Sequence, residues 1–223
     1  MAAIEQTIDI GDLQKPWYQR LFEMARRQPL GTAGGLVVLL MVLAAVFANF
    51  LSPYDPEAAS WKHQLSPPDA EYWLGTDAFG RDILTRIIFG ARTALFVGFT
   101  AAFVGSTSGL VLGVASAYFG GRFDIIVQRL VDIVMAFPLI VLALAVVATL
   151  GTGTVNVIIA ITIPFIPQCA RVVRSSALSI REMPYVDAAR ALGYGHFRII
   201  MRHMVPNVMA PYLIMLTTFV GQA

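Results

Sequence analysis

The chain has 223 residues, of which 57% are hydrophobic and only 13% charged, and its formal net charge is +2. Soluble domains carry roughly 25% charged residues, so this composition excludes an ordinary soluble protein and describes one embedded in a membrane. The single cysteine, Cys169, excludes a disulfide framework and a multi-cysteine metal centre.

Met1–Pro29 is mostly polar and holds Lys15, Arg20, Arg26 and Arg27. The first apolar run, Leu30–Leu51, is 22 residues long. A helix needs about 20 apolar residues to cross a ~30 Å hydrocarbon core, and this run is too long and too far from the start for a signal peptide, so it predicts an uncleaved span. Ser52–Arg92 is rich in Pro, Asp and Glu and predicts a water-facing loop, with an amphipathic entry helix near Ile83–Phe89.

The second span is predicted over Thr93–Phe119. Gly105, Gly109 and Gly113 recur there every four residues, with Ala117 continuing the series. That spacing makes a groove of small residues along one face, where another helix can pack closely, although glycine is also frequent in membrane helices generally.

"GGRFD", 120–124, predicts a turn, and Ile125–Leu150 a third span. Arg129 and Asp132, three apart on one helical face, predict a mutual ion pair; an acid in a span is otherwise a candidate for ion coupling. Pro138 should kink this span, as Pro164 and Pro167 should kink the fourth, Val155–Ala170. "GTGTVN", 151–156, joins two apolar runs and lacks the strand-turn-helix context of a nucleotide loop, so it reads as a turn. A polar stretch, Arg171–His203, precedes Pro206 and a fifth apolar run, Val208–Val220.

Orientation follows from the basic residues. Met1–Pro29, Gly120–Arg129 and Arg171–His203 hold 4, 2 and 6 Lys or Arg, and alternation puts all three on one side; Ser52–Arg92 holds 4 against six acids. The positive-inside rule then places the N-terminus and the polar stretch in the cytoplasm and the Pro-rich loop outside.

Within the polar stretch, Pro184 suits a first helical turn and Asp187 the positive end of the helix dipole. The helix should run through Ala188, Ala189 and Leu192 until Gly193 and Gly195 break it. A second amphipathic helix then presents Phe197, Ile200, Met201 and Met204, with Arg198 and Arg202 on its polar side. Composition leaves two readings open: a compact knob whose small residues let a partner approach, or a loop lying on lipid phosphates. The chain has no G-x-x-x-x-G-K-[ST], H-E-x-x-H or G-x-S-x-G motif, and its three histidines have no metal-ligand partner at helical spacing. Any energy-driven work must draw its energy from elsewhere.

"DAARALG", nine residues, then "HMVP" resembles the EAA signature of bacterial ABC-importer permeases: Glu-Ala-Ala, three residues, Gly, nine residues, Ile-x-Leu-Pro. Ala188, Ala189, Gly193 and Pro206 match, while Asp187, His203 and Val205 replace Glu, Ile and Leu. "LGTDAFGRDILTRIIFGARTAL" (74–95), "FGGRFDIIVQRLVDIVMAFP" (119–138), "ARVVRS" (170–175) and "YVDAARALG" (185–193) follow in order. Together they resemble the second, C-type membrane subunit of the dipeptide/oligopeptide/nickel permeases, from "RRQPLGTAGG" to the last run. Pro164 and Phe165 stand where that family has a tryptophan-containing stretch, and the family's final span is expected to be missing here.

The resemblance implies an all-α helical bundle of the type I importer fold with five of six spans, in the bacterial cytoplasmic (inner) membrane. Its parts would be a cytoplasmic segment (1–29), a first span (30–51), an extracytoplasmic loop and entry helix (52–92) and a permease core (93–223) with a coupling loop at about 171–205. It implies an importer of di- or oligopeptides, glutathione-like compounds or nickel chelates, assembled with a homologous second permease subunit, two ABC ATPases and an extracytoplasmic substrate-binding protein. ATP and Mg would bind the ATPases; no cofactor of this chain and no nucleic-acid partner are implied. Tyr185, Asp187, Ala188, Ala189, Leu192, Gly193 and Pro206 would form the ATPase-coupling segment. Gly75, Thr76, Asp77, Gly80, Arg81 and Asp82 would shape the external vestibule or orient the entry helix, or form only a satisfied turn and helix cap. An ion-coupled secondary transporter is the alternative.

Overall fold

The computed structural model describes residues 26–52 and 54–223, so most of the N-terminal segment, including Lys15 and Arg20, lies outside the described residues. These residues form helices, joined by short turns except for the long connection from Ser52 to Asp82, and divide into two compact units, one up to Arg92 and the other Thr93–Ala223.

In the first unit, α1 (Pro29–Val46) opens with proline at its first turn, where a missing N–H costs nothing, and a short α2 (Ala48–Leu51) follows a break at Phe47. The connection from Ser52 holds a single 3₁₀ turn at Trp61–His63 and leads into α3, Ile83–Phe119. The amphipathic piece Ile83–Phe89 is therefore the first part of one 37-residue helix rather than a separate entry helix. Only Gly90, Ala91 and Arg92 separate it from the span, and a lone glycine costs a helix about 1 kcal/mol, so the helix continues through it.

The second unit begins within α3 and continues through α4 (Gly121–Met135), α5 (Leu139–Leu150), α6 (Thr154–Arg181), α7 (Pro184–Ala191) and α8 (His196–Gln222). Four helices, α1, α3, α6 and α8, are long and apolar enough to cross a membrane, and the α4–α5 pair makes a fifth if taken as one. That pair departs from the sequence expectation: α4 and α5 meet at 88°, a break and not a mild kink. Pro138 cannot donate to α4, forces the residue before it out of helix geometry and starts α5 in a new direction.

Two further expectations fail for tertiary reasons. The fourth span does not end near Ala170; α6 runs unbroken through Pro164 and Pro167 to Arg181, because its later turns keep Val173, Ala177 and Ile180 buried in the core. Nor does Pro206 open a new helix. It lies inside α8, which widens into a π turn at Ile200–Met204 and tightens into a 3₁₀ turn at Val205–Val208. The wide turn gives the Pro206 ring room against the preceding carbonyls, so the helix absorbs the proline without breaking.

Gly105, Gly109 and Gly113 face α6 at backbone distance. A Cβ added to Gly105 would sit 2.7 Å from Phe165 Cβ, one on Gly109 2.6 Å from Cys169 Cβ, and one on Gly113 2.6 Å from the Ala170 carbonyl oxygen. The approach is close enough for the Cys169 thiol to donate to the Ser106 carbonyl at 3.3 Å. On its other side α6 meets α8, where Phe165 and Phe219 stack with centroids 4.1 Å apart, both fully buried. A hydrogen bond of 3.1 Å between Thr107 and Tyr212 links α3 to α8.

Gly109→Leu should destabilise the chain by about 1–3 kcal/mol, as overpacking of a filled interior does. Gly35→Leu on α1, with nothing within 4 Å of its added Cβ, should leave stability unchanged. Denaturant titration of both variants in detergent checks the contrast.

Candidate functional site

Residues 75–82 and 185–206 fold into two arrangements, one in each unit. In the first unit, residues 75–82 form a self-contained loop. The Asp77 carboxylate accepts from the backbone N–H groups of Phe79 (2.8 Å) and Arg81 (3.0 Å), and its second oxygen accepts from Arg81 Nε at 2.8 Å and from Arg86. Thr76 is buried and its hydroxyl bridges the Ser66 N–H and the His63 carbonyl. Asp82, also buried, caps α3 by accepting from the Thr85 N–H at 2.8 Å.

The two glycines are required by the loop's conformation. Gly75 and Gly80 have φ of +73° and +72°, and a Cβ on Gly80 would fall 1.9 Å from the Ser60 carbonyl oxygen. Every polar group of Thr76, Asp77 and Asp82 named above is engaged within the chain. The geometry is a satisfied turn and helix cap that fixes where α3 begins. Burial disfavours the Asp77 anion, yet the Arg81 and Phe79 N–H donors and the two guanidinium groups outweigh it and hold the carboxyl well below its usual range.

In the second unit, α6 passes through Glu182 and Met183 into α7. Helix α7 starts with proline in its first turn and ends in a Schellman motif: the Gly193 N–H donates to the Arg190 carbonyl at 2.9 Å and the Tyr194 N–H to the Ala189 carbonyl at 3.1 Å. Gly193 has φ +73°, with nothing within 4 Å of an added Cβ. Its glycine is therefore needed for the left-handed turn, and no group of this chain lies where a side chain would go. An alanine there would strain the backbone by about 1–2 kcal/mol.

Helix α7 has two distinct sides. Val186 and Ala189 are buried in the chain's own core with Ile199 and Met204 of α8. This corrects the expectation for Ala189: it is small because α7 lies against α8, and it is not available to a partner. Asp187, Ala188 and Leu192 lie on the outer side, and Leu192 is 72% exposed. Tyr185, at the edge, is half exposed and tilts toward the His203 ring at 6.1 Å. Beyond the turn, Phe197 is 78% exposed and Met201 50%. Pro206 is exposed but lies within α8, apart from α7 in sequence. Asp187 and Arg190 form an exposed ion pair at 2.9 Å, a geometry that contributes little to stability.

Residues that the sequence did not single out hold this hairpin in place. Tyr118, at the end of α3, forms a 2.8 Å hydrogen bond with His196 Nδ1, and Arg190 lies 5.7 Å from the Tyr118 ring centre. Arg181 donates to the Ala117 carbonyl at 2.8 Å. The predicted Arg129–Asp132 pair is replaced by Asp132 with Arg171 of α6 at 2.5 Å. Packing α4 against α6 brings an arginine from the next helix to Asp132, and that contact prevails over the pairing along one helix.

Residues 109–223 match the family described as binding-protein-dependent transport system inner membrane component, and residues 15–68 match the N-terminal TM domain of oligopeptide transport permease C. A Brucella suis protein named as a peptide transport system permease protein is 47% identical over 82% of this chain and 62% of its own length. The dipeptide transport system permease protein of Alkalihalophilus pseudofirmus is 39% identical over 93% of this chain and 68% of its own. A glutathione transport system permease protein of Pectobacterium atrosepticum is 36% identical over 95% of this chain and 70% of its own. The chain thus spans less than two thirds of the Brucella protein. A solved amino acid ABC transporter chain superposes over 63% of this chain with a TM-score of 0.37 at 17% identity, too loosely to transfer geometry.

The Asp77 carboxyl has a folded-state pKa below its ordinary value of 3.8. Its contribution to stability is therefore complete above that value and is lost as pH falls below it toward the folded-state value. Hydrogen exchange of the 75–82 amides should slow less at pH 3 than at pH 6 after correction for intrinsic rates, and Asp77→Asn should remove the difference.

Proposed function

The chain belongs to the family of binding-protein-dependent transport system inner membrane components, and on that premise we propose that it is the permease subunit of an ATP-driven importer of di- or oligopeptides or a related small solute. Helix α7 is its docking element for an ATPase. The observation that carries this reading is the geometry of α7: a short helix fixed at both ends whose outer side presents Ala188 and a largely exposed Leu192, with Phe197 and Met201 beyond the turn. Exposed apolar side chains grouped on one polar segment mark a surface that another protein covers. The match of Ala188, Ala189, Gly193 and Pro206 to the EAA spacing supports the same assignment.

In this assembly a homologous second permease subunit completes the pathway, two ATPases carry ATP and Mg, and an extracytoplasmic binding protein delivers the solute. The distribution of Lys and Arg supports a cytoplasmic N-terminus and α7, with 52–92 outside. Residues 1–29, 30–51, 52–92 and 93–223 are then the cytoplasmic segment, first span, external connection and permease core. On the outer side, Gly75, Thr76, Asp77, Gly80, Arg81 and Asp82 hold the start of α3 in place. Peptides are favoured as cargo because relatives carry peptide, dipeptide and glutathione names. Ion coupling is not favoured: Asp124 and Asp132 are both engaged by arginines of α6.

Closure of the ATPases would push on α7, and α6, continuous with it except for two residues, would carry the displacement into the spans as a rigid-body movement. Because Ala188 is exposed, Ala188→Trp should leave folding intact while its bulk holds the ATPase away. Co-purification of the ATPase pair should fall by about tenfold or more, a change of about 1.4 kcal/mol or more in affinity. Capture at the wild-type level would contradict the docking assignment.

A further inference from the structure

The contact between α4 and α6 is unusual in its makeup. Its buried apolar part is only Val127, Val131 and Ala170, a patch separate from the main core. Beside it lies a polar junction. Arg174 of α6 grips Asp124 of α4 with both arms of its guanidinium, Nε to Oδ1 at 2.6 Å and a terminal nitrogen to Oδ2 at 2.5 Å. The fully buried Ser116 of α3 donates to the same carboxylate and in turn accepts from Gln128 at 3.2 Å. The side chains of Asp124 and Arg174 are 16% and 27% exposed, so the pair is largely withdrawn from water.

Two turns further along α6, on the same face, Arg181 holds the end of α3 through the Ala117 carbonyl, and three residues later α7 begins. Arg174 therefore stands between the docking helix and the 88° corner made by α4 and α5. Beside so small a buried patch, a directional link can hold α4 in register on α6. A bidentate arginine–carboxylate pair supplies one, since it fixes both distance and angle.

We propose that Asp124 and Arg174 form a positioning clasp that makes α4, and the corner it leads into, move with α6 when the docking helix is displaced. This rests on the docking assignment for α7 and specifies how force applied there reaches the bent pair. The clasp touches neither the ATPase nor the solute; it acts through the helices that it joins. The Arg171–Asp132 pair, 47% and 59% exposed, rests on one nitrogen and one oxygen and so fixes less of the angle between the helices than a bidentate pair does.

The test uses the assembled transporter in proteoliposomes, with the second permease subunit, both ATPases and loaded binding protein, and reads solute imported per ATP hydrolysed. Asp124→Asn and Arg174→Gln should each retain ATPase capture and ATP hydrolysis but lower this ratio by about fivefold or more. The double variant should lose no more than either single one, as two groups acting as one unit require. Arg171→Gln should leave the ratio unchanged. A wild-type ratio in the single variants, additive losses in the double, or joint loss of capture and import in the single variants would overturn the clasp. Failure of the unmodified chain to capture the ATPases would overturn the docking assignment and the clasp with it.

Discussion

The backbone of α3 lies directly against α6 because Gly105, Gly109 and Gly113 carry no side chain, and the positions of the later elements depend on that contact. A Cβ at any of the three would meet an atom of α6 at 2.7 Å or less. In lipid there is no hydrophobic force to press apolar helices together, so dispersion across such a close seam does the holding. The seam continues on the other face of α6 into the Phe165–Phe219 stack with α8. Helix α6 is thus gripped from both sides along its apolar length.

Because α6 is fixed by its early turns, its last turns have a defined place, and their arginines use it. Arg171 and Arg174 reach α4, and Arg181 reaches the end of α3. Helix α7 starts three residues after Arg181, is closed by the Gly193 turn, and is backed by α8 through Val186, Ala189 and Ile199. The result is a backed helix whose outer side presents Ala188 and Leu192 beside the Asp187–Arg190 pair. A flexible loop would absorb a push from a partner by bending; a helix closed by the Gly193 turn and packed on a second helix passes it on.

Much of this was legible in the residues. Apolar runs of 13 to 27 residues located the long helices, the four-residue glycine period located the seam, and Pro184 with Gly193 bracketed α7 almost to the residue. The satisfied-turn alternative for 75–82 also describes what the chain builds there. What local pattern missed was set by tertiary contact. Arg129 and Asp132 had the right spacing for a pair, but spacing cannot see an arginine arriving from α6. Ala189 looked like a surface left small for a partner, whereas α8 lies against it. Pro138 and Pro206 carry the same local signal, yet one divides two helices at 88° and the other is absorbed by a π turn. The Asp124–Arg174 pair joins "GGRFD", read as a turn, to "ARVVRS", read as part of the polar stretch, and no spacing within one helix connects the two.

The central claim is that the outer side of α7 meets an ATPase. Cys169, the single cysteine, is buried and its thiol contacts only the Ser106 carbonyl among the hydrogen bonds described, so Cys169→Ser gives a background free of thiols. On that background, Leu192→Cys in the assembled transporter should form a cross-link to an ATPase subunit with a short thiol-to-amine reagent. The same residue introduced as Phe79→Cys, half exposed in the 75–82 loop, should form none. No cross-link from Leu192→Cys, together with its labelling by a membrane-impermeant thiol reagent added outside, would contradict the account.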